Sequence, residues 1–122
     1  MSPKLGVNHG HLMVCPNKPN CVSSQMDADR HRDLEIEGGQ AAFDQIRKHL
    51  FMQPAVQVMR EGQRYIHAVY TTKLFGFADD LELYLDDDDR IQVRSASRVG
   101  YSDMNANRKR VEALREIAAV KK

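Results

Sequence analysis

The feature that most constrains this chain is a two-residue alternation between positions 80 and 94. Leu81, Leu83 and Leu85 alternate with Asp80, Glu82 and Tyr84, and after Asp86-Asp87-Asp88-Asp89 the residues Ile91 and Val93 alternate with Gln92 and Arg94. Side chains of a strand point to opposite faces in turn, so this stretch reads as a β-hairpin with one apolar and one polar face. If Leu85 and Ile91 share the core face, Glu82 falls opposite Arg94, and Asp80 lies diagonal to both Arg94 and Arg98. The four aspartates lack the spaced oxygen ligands, central Gly and closing Glu of a calcium loop, so they read as a solvated turn.

The remaining elements follow from periodicity. Gln40 to Met52 sets Phe43, Ile46 and Leu50 at helical spacing and stops before Pro54. Val56–Arg60 and Arg64–Tyr70 are β-rich runs around Glu61-Gly62-Gln63, a second hairpin. From Met104 to about Val120, Met104, Val111, Leu114 and Ala118 form one stripe, with Ser102 or Asp103 as cap and Lys121 and Lys122 beyond. Residues 1–36 hold three of the four prolines and no sustained period, and read as an irregular arm. The expectation is an α+β, two-layer fold: a four-stranded, mostly antiparallel sheet with two amphipathic helices on one face. All 122 residues form one domain in this reading, the arm at 1–36 and helix, four strands and helix at 37–122.

Lys plus Arg number 18 against 17 Asp plus Glu, a net charge of +1, which excludes nucleic-acid binding driven by whole-surface charge. No basic segment followed by an apolar run opens the chain and no long apolar stretch interrupts it, so neither a signal peptide nor a membrane span is expected. The compartment stays open between envelope or periplasm, if a leader was removed, and cytoplasm. Cys15 and Cys21 flank Pro16-Asn17-Lys18-Pro19-Asn20, a turn-rich loop in which the thiols can meet. A short-loop disulfide, two reduced thiols, and a zinc site completed by His9 and His11 are the three readings; the spacing matches no standard zinc motif. No metal or cofactor is expected.

Four blocks then resemble a known family: Cys15-Pro16-x-x-Pro19-Asn20-Cys21-Val22-Ser23-Ser24; Phe75-Gly76-Phe77-Ala78-Asp79-Asp80-Leu81-Glu82; Val93-Arg94-Ser95-Ala96-Ser97-Arg98-Val99-Gly100-Tyr101-Ser102-Asp103; and Asn107-Arg108-x-Arg110-Val111-Glu112-x-Leu114-Arg115. In this order, from about Leu12 to Arg115, they resemble the family catalogued as domain of unknown function 1499. The resemblance implies a location more than an activity: small bacterial proteins, many with an exported or lipid-anchored N-terminus, and related plastid proteins. It brings no reaction, cofactor or catalytic residue to carry over. The expectation from the opening residues is a departure from the exported form, with an envelope location expected only if a leader was removed.

The densest polar cluster is Arg94, Ser95, Ser97 and Arg98 followed by Asn107 and Arg108. Guanidinium forks, hydroxyls and a helix start are the groups that receive carboxylates and phosphates. Arg94 and Arg98 should share the open sheet face, with Ser95 and Ser97 turned to the helices. The alternative is a salt-bridge frame: Arg94 to Glu82, Arg98 to Asp79 or Asp80, and Arg108 to an acid elsewhere. His67, beside Tyr65 and on the face of Asp80 and Glu82, is the candidate general base, although the nearby arginines disfavour a proton shared by the carboxylates. Phe75-Gly76-Phe77 reads as an aromatic-walled turn.

The leading expectation is a non-catalytic binding or assembly module whose Arg/Ser cluster binds the anionic group of a small acidic ligand or protein partner. The competing expectation is a hydrolase-like or metal-assisted enzyme using His67, Asp80 and Glu82. A third is a structural module in which the Cys15–Cys21 loop clamps the arm and a sheet edge or exposed face makes a homo-oligomer.

Overall fold

The computed structural model describes residues 5–28, 30–71, 76–100 and 103–119. Its elements in chain order are β1 (Cys21–Ser23), α1 (Gly39–Met52), β2 (Val56–Glu61), β3 (Tyr65–Thr71), β4 (Ala78–Leu85), β5 (Ile91–Ser97) and α2 (Ala106–Ala119). The fold is α+β, and the sheet has five strands rather than four, in the order β1-β5-β4-β3-β2 with every neighbouring pair antiparallel. The added strand lies inside the segment expected to be irregular throughout. Three residues are too short to carry a readable alternation; β1 exists because Cys21, Val22 and Ser23 find Ala96, Ser95 and Arg94 of β5 as partners.

The hairpin of β4 and β5 pairs Leu85 with Ile91 and Glu82 with Arg94, the register expected from alternation. Its apolar face carries Leu81, Leu83, Leu85, Ile91 and Val93, which form one core with Ile66 and Ala68 of β3, Phe43, Ile46 and Leu50 of α1, and Val111 and Leu114 of α2. Gly38 enters α1 at φ 115°, and a Cβ there would meet that of Ala42 at 2.6 Å, so a side chain at this entry is excluded twice over.

α2 starts two residues later than its stripe suggests, because Met104 and Asn105 adopt positive φ (53° and 66°) and Met104 is 86% exposed, outside the core. Asp103 supplies the cap, accepting from the Asn105 and Asn107 backbone N–H groups at 2.9 and 3.1 Å. Phe75 of the expected aromatic turn, the alternative cap Ser102, and the helix end at Val120, Lys121 and Lys122 lie outside the described residues.

The polar face of the sheet is not open over β4 and β5, although at the β2 edge Gln57 and Arg60 are exposed. Residues Ile91 to Ala96 of β5 are buried on both faces. On the side away from the helices the N-terminal segment provides the cover: Gly6 N–H donates to Glu82 at 2.8 Å, Arg94 reaches the Val14 carbonyl at 3.5 Å, and Cys15, Cys21 and Met26 pack with Ala96. Alternation separates two faces of a strand but does not say which one is wet. Among the described residues no helix is long and apolar enough to cross a membrane.

Candidate functional site

Register aligns one polar row across all five strands: Ser23, Arg94, Glu82, His67 and Arg60 stand opposite one another in turn. A register shift between Val58 and Arg60 brings Arg60, rather than Met59, opposite His67. The Arg60 guanidinium lies 5.3 Å from the centre of the Tyr65 ring. At the middle of the row Glu82 is 0% and Arg94 3% exposed, with Glu82 Oε1 3.7 Å from Arg94 Nη1. Glu82 Oε2 accepts from the Tyr65 hydroxyl at 2.6 Å and from Gly6 N–H. Glu82 Oε1 and Arg94 Nε are buried without a hydrogen bond. Burial pushes the Tyr65 phenol far above its ordinary value, and the Glu82 carboxylate adds to that. Burial also lowers the pKa of Arg94, against the charge of Glu82.

One step along the same face, Asp80 joins two of the expected site residues. Arg98 Nε donates to Oδ2 and Arg98 Nη2 to Oδ1, both at 2.9 Å, and His67 Nε2 is 2.7 Å from Oδ1. Burial alone would raise the Asp80 pKa, but the His67 and Arg98 hydrogen bonds and the Arg98 charge outweigh it and hold the carboxyl at about 2. Asp80 in turn raises the pKa of Arg98. The Asp80 side chain is 3% exposed, whereas Arg98 is 46% exposed, so the array opens to solvent at its guanidinium.

The other members of the expected cluster lie elsewhere. Ser95 and Ser97 face the helix layer, where Asn107 Oδ1 accepts from Ser95 at 2.6 Å and its amide donates to Ser97, to the Asn20 carbonyl and to Asp103. Arg110, three residues beyond Asn107, donates to Ser95 Oγ, to Asn107 Oδ1 and to Asp79, and stacks 4.3 Å from the Tyr70 ring centre. Of the two acids expected for Arg98, it takes Asp80, and Asp79 goes to Arg110, because Asp79 points to the face opposite Asp80, toward the final helix. Arg108 reaches the carbonyls of Arg30 and Arg32 and stands 3.8 Å from Asp33. The six residues expected to form one anion site are thus divided: Arg94, covered, and Arg98, exposed, on the sheet face away from the helices; Ser95, Ser97 and Asn107 on the helix face; and Arg108 on the N-terminal segment.

Cys15 and Cys21 are joined, with Cα atoms 5.6 Å apart, so neither thiolate is available to complete a zinc site with His9 and His11. Among the described residues no three His, Cys, Asp or Glu side chains are arranged to hold a metal ion. A broad groove of about 1240 Å³ runs between α1, α2 and residues 34–38, floored by Ala41, Ala42, Ala118 and Ala119. None of the polar-row residues lines it, so the groove and the ionic chemistry lie apart.

Comparison with known proteins agrees with the sequence blocks. Residues 11–117 match a family model described as Protein of unknown function (DUF1499), a span that contains β1 to β5, the polar row and nearly all of α2. No curated protein matches the chain.

Proposed function

The chain belongs to the DUF1499 family, and from the arrangement of its charged side chains we propose that it is a small non-catalytic binding module in which Arg98 receives the acidic group of a ligand or partner. The observation that carries this reading is that Arg98 is held by both Asp80 oxygens and is still 46% exposed. Nε and one Nη2 hydrogen occupy one edge of the guanidinium, so the edge bearing Nη1 is turned away from Asp80. A carboxylate or phosphate arriving there meets a planar donor pair whose orientation is already set, and less ordering entropy is lost on binding. Ser95, Ser97 and Asn107 then support the site by joining the end of β5 to the start of α2, while Arg94 pairs with Glu82 on the face of Arg98 and Arg108 ties α2 to the N-terminal segment.

The test is calorimetric titration at constant ionic strength with inorganic phosphate and, separately, with succinate. Binding by the wild-type protein that is lost in Arg98→Ala and weakened in Arg98→Lys is expected. Equal binding by all three proteins overturns the assignment.

A second reading, a hydrolase-like or metal-assisted enzyme, is favoured by the 2.7 Å approach of His67 to Asp80, the orientation a carboxylate gives a general base. Hydrolysis of simple esters or phosphate esters that disappears in His67→Gln would decide for it.

A further inference from the structure

We infer that residues 5–16 are a disulfide-latched cover, and that reduction of Cys15–Cys21 uncovers Glu82 and Arg94, the buried centre of the polar row, beneath it. Apart from the disulfide, the cover is held by few contacts: Gln25 bridges it, accepting from Leu12 N–H at 2.8 Å and donating to the Gly10 carbonyl at 3.2 Å. Of residues 5–16 only Leu12 and Cys15 are buried, and the hydrogen bonds from this stretch to the row are those of Gly6 with Glu82 and, at 3.5 Å, Val14 with Arg94. Segments with few buried apolar side chains open at low cost. Seating the cover also has an opposing consequence, because Glu82 Oε1 and Arg94 Nε are left without hydrogen bonds that water would supply.

The disulfide offsets this. Cys21 is wholly buried in β1 beside Ala96, so its bond to Cys15 fixes the end of the cover to the sheet. Without the bond, the link from residue 15 to residue 21 can extend to about 20 Å, enough for the preceding residues to leave the face. The step balances with a dithiol as reductant: the S–S bond breaks, two electrons and two protons pass to Cys15 and Cys21 as two S–H groups, and the dithiol closes to its own disulfide.

Hydrogen exchange on the oxidised protein, the dithiol-reduced protein and Cys15→Ser/Cys21→Ser tests the inference. The expected result is at least ten-fold faster exchange on reduction at the Gly6 and Leu12 amides, which bond outside the stretch, with β3, β4 and β5 still protected. Ultraviolet titration, with Tyr65→Phe as reference, should show the Tyr65 phenol ionising at lower pH once the cover lifts. Unchanged exchange at Gly6 and Leu12 overturns the latch. Equal loss of protection throughout the sheet overturns it as well, since the disulfide would then be a general staple. If the double variant fails to fold, dithiol reduction of the wild-type chain supplies the same comparison.

Discussion

Arg98 grips both carboxylate oxygens of Asp80 at 2.9 Å, a fork from the residue just after β5 to β4 with one end buried and the other in solvent. The exposed end keeps the Coulomb contribution small through screening, so the cost of breaking the pair arises on the buried side. Arg98→Ala leaves Asp80 with His67 alone and should destabilise the protein by about 1–3 kcal/mol. Arg98→Lys keeps the charge but loses the fork and should fall between. Urea unfolding of the three proteins measures both.

Asp80 also sets a pH dependence. Its pKa in the folded chain is depressed to about 2, so its contribution is complete above about pH 4, where the unfolded carboxyl is ionised, and is lost as pH falls through 2. The contribution is on the order of 2 kcal/mol. Thermal melts between pH 6 and pH 2 should show this loss in the wild-type protein and a flatter profile in Asp80→Asn.

Glu82 and Arg94 form the buried centre of the row, and their energetics should be those of a coupled pair. Glu82→Leu strands Arg94 and removes the acceptor of Tyr65 and Gly6, at a cost of about 3–5 kcal/mol. Glu82→Leu with Arg94→Met removes both charges and should cost less than the sum of the single changes by about 1 kcal/mol or more. A double-mutant cycle from denaturant unfolding gives the coupling directly.

Asn107 joins β5, α2 and the turn before β1 through Ser95, Ser97, Asn20, Asp103 and Arg110. Truncation at Asn107→Ala leaves several of these buried groups without a partner and should cost about 3–5 kcal/mol. Ser97→Ala removes one acceptor from the same network and should cost about 1 kcal/mol. Melting temperatures of the two variants rank them.

The alternation of Leu81 to Leu85 against Ile91 and Val93 is what made the hairpin register legible, because a one-residue slip would bury Asp80 and Glu82 in the helix-facing core. Pairings between Arg94 and Glu82, and between Arg98 and Asp80, follow from that register. Phe43, Ile46 and Leu50 announce α1 in the same way. β1 was not legible, since Cys21-Val22-Ser23 becomes a strand through partners more than seventy residues away in the chain. Nor was the covering of the polar face. Arg94 and Glu82 look like surface residues in a strand pattern, and only their seating beneath Gly6 and Val14 makes them interior. The division of the arginine and serine cluster has the same origin: Ser95 and Arg94 are neighbours in sequence and lie on opposite faces of the sheet.

The measurement closest to the central claim follows the Arg98 Nε–H resonance in ¹⁵N-labelled protein during titration with inorganic phosphate at constant ionic strength. The predicted result is a saturable shift of that resonance, with smaller shifts at Ala78 and Val99, while the Arg94 and Arg110 side chains stay unmoved. An Arg98 resonance that does not respond, or that moves only as the other arginines do, would contradict the assignment of Arg98 as the receiving group.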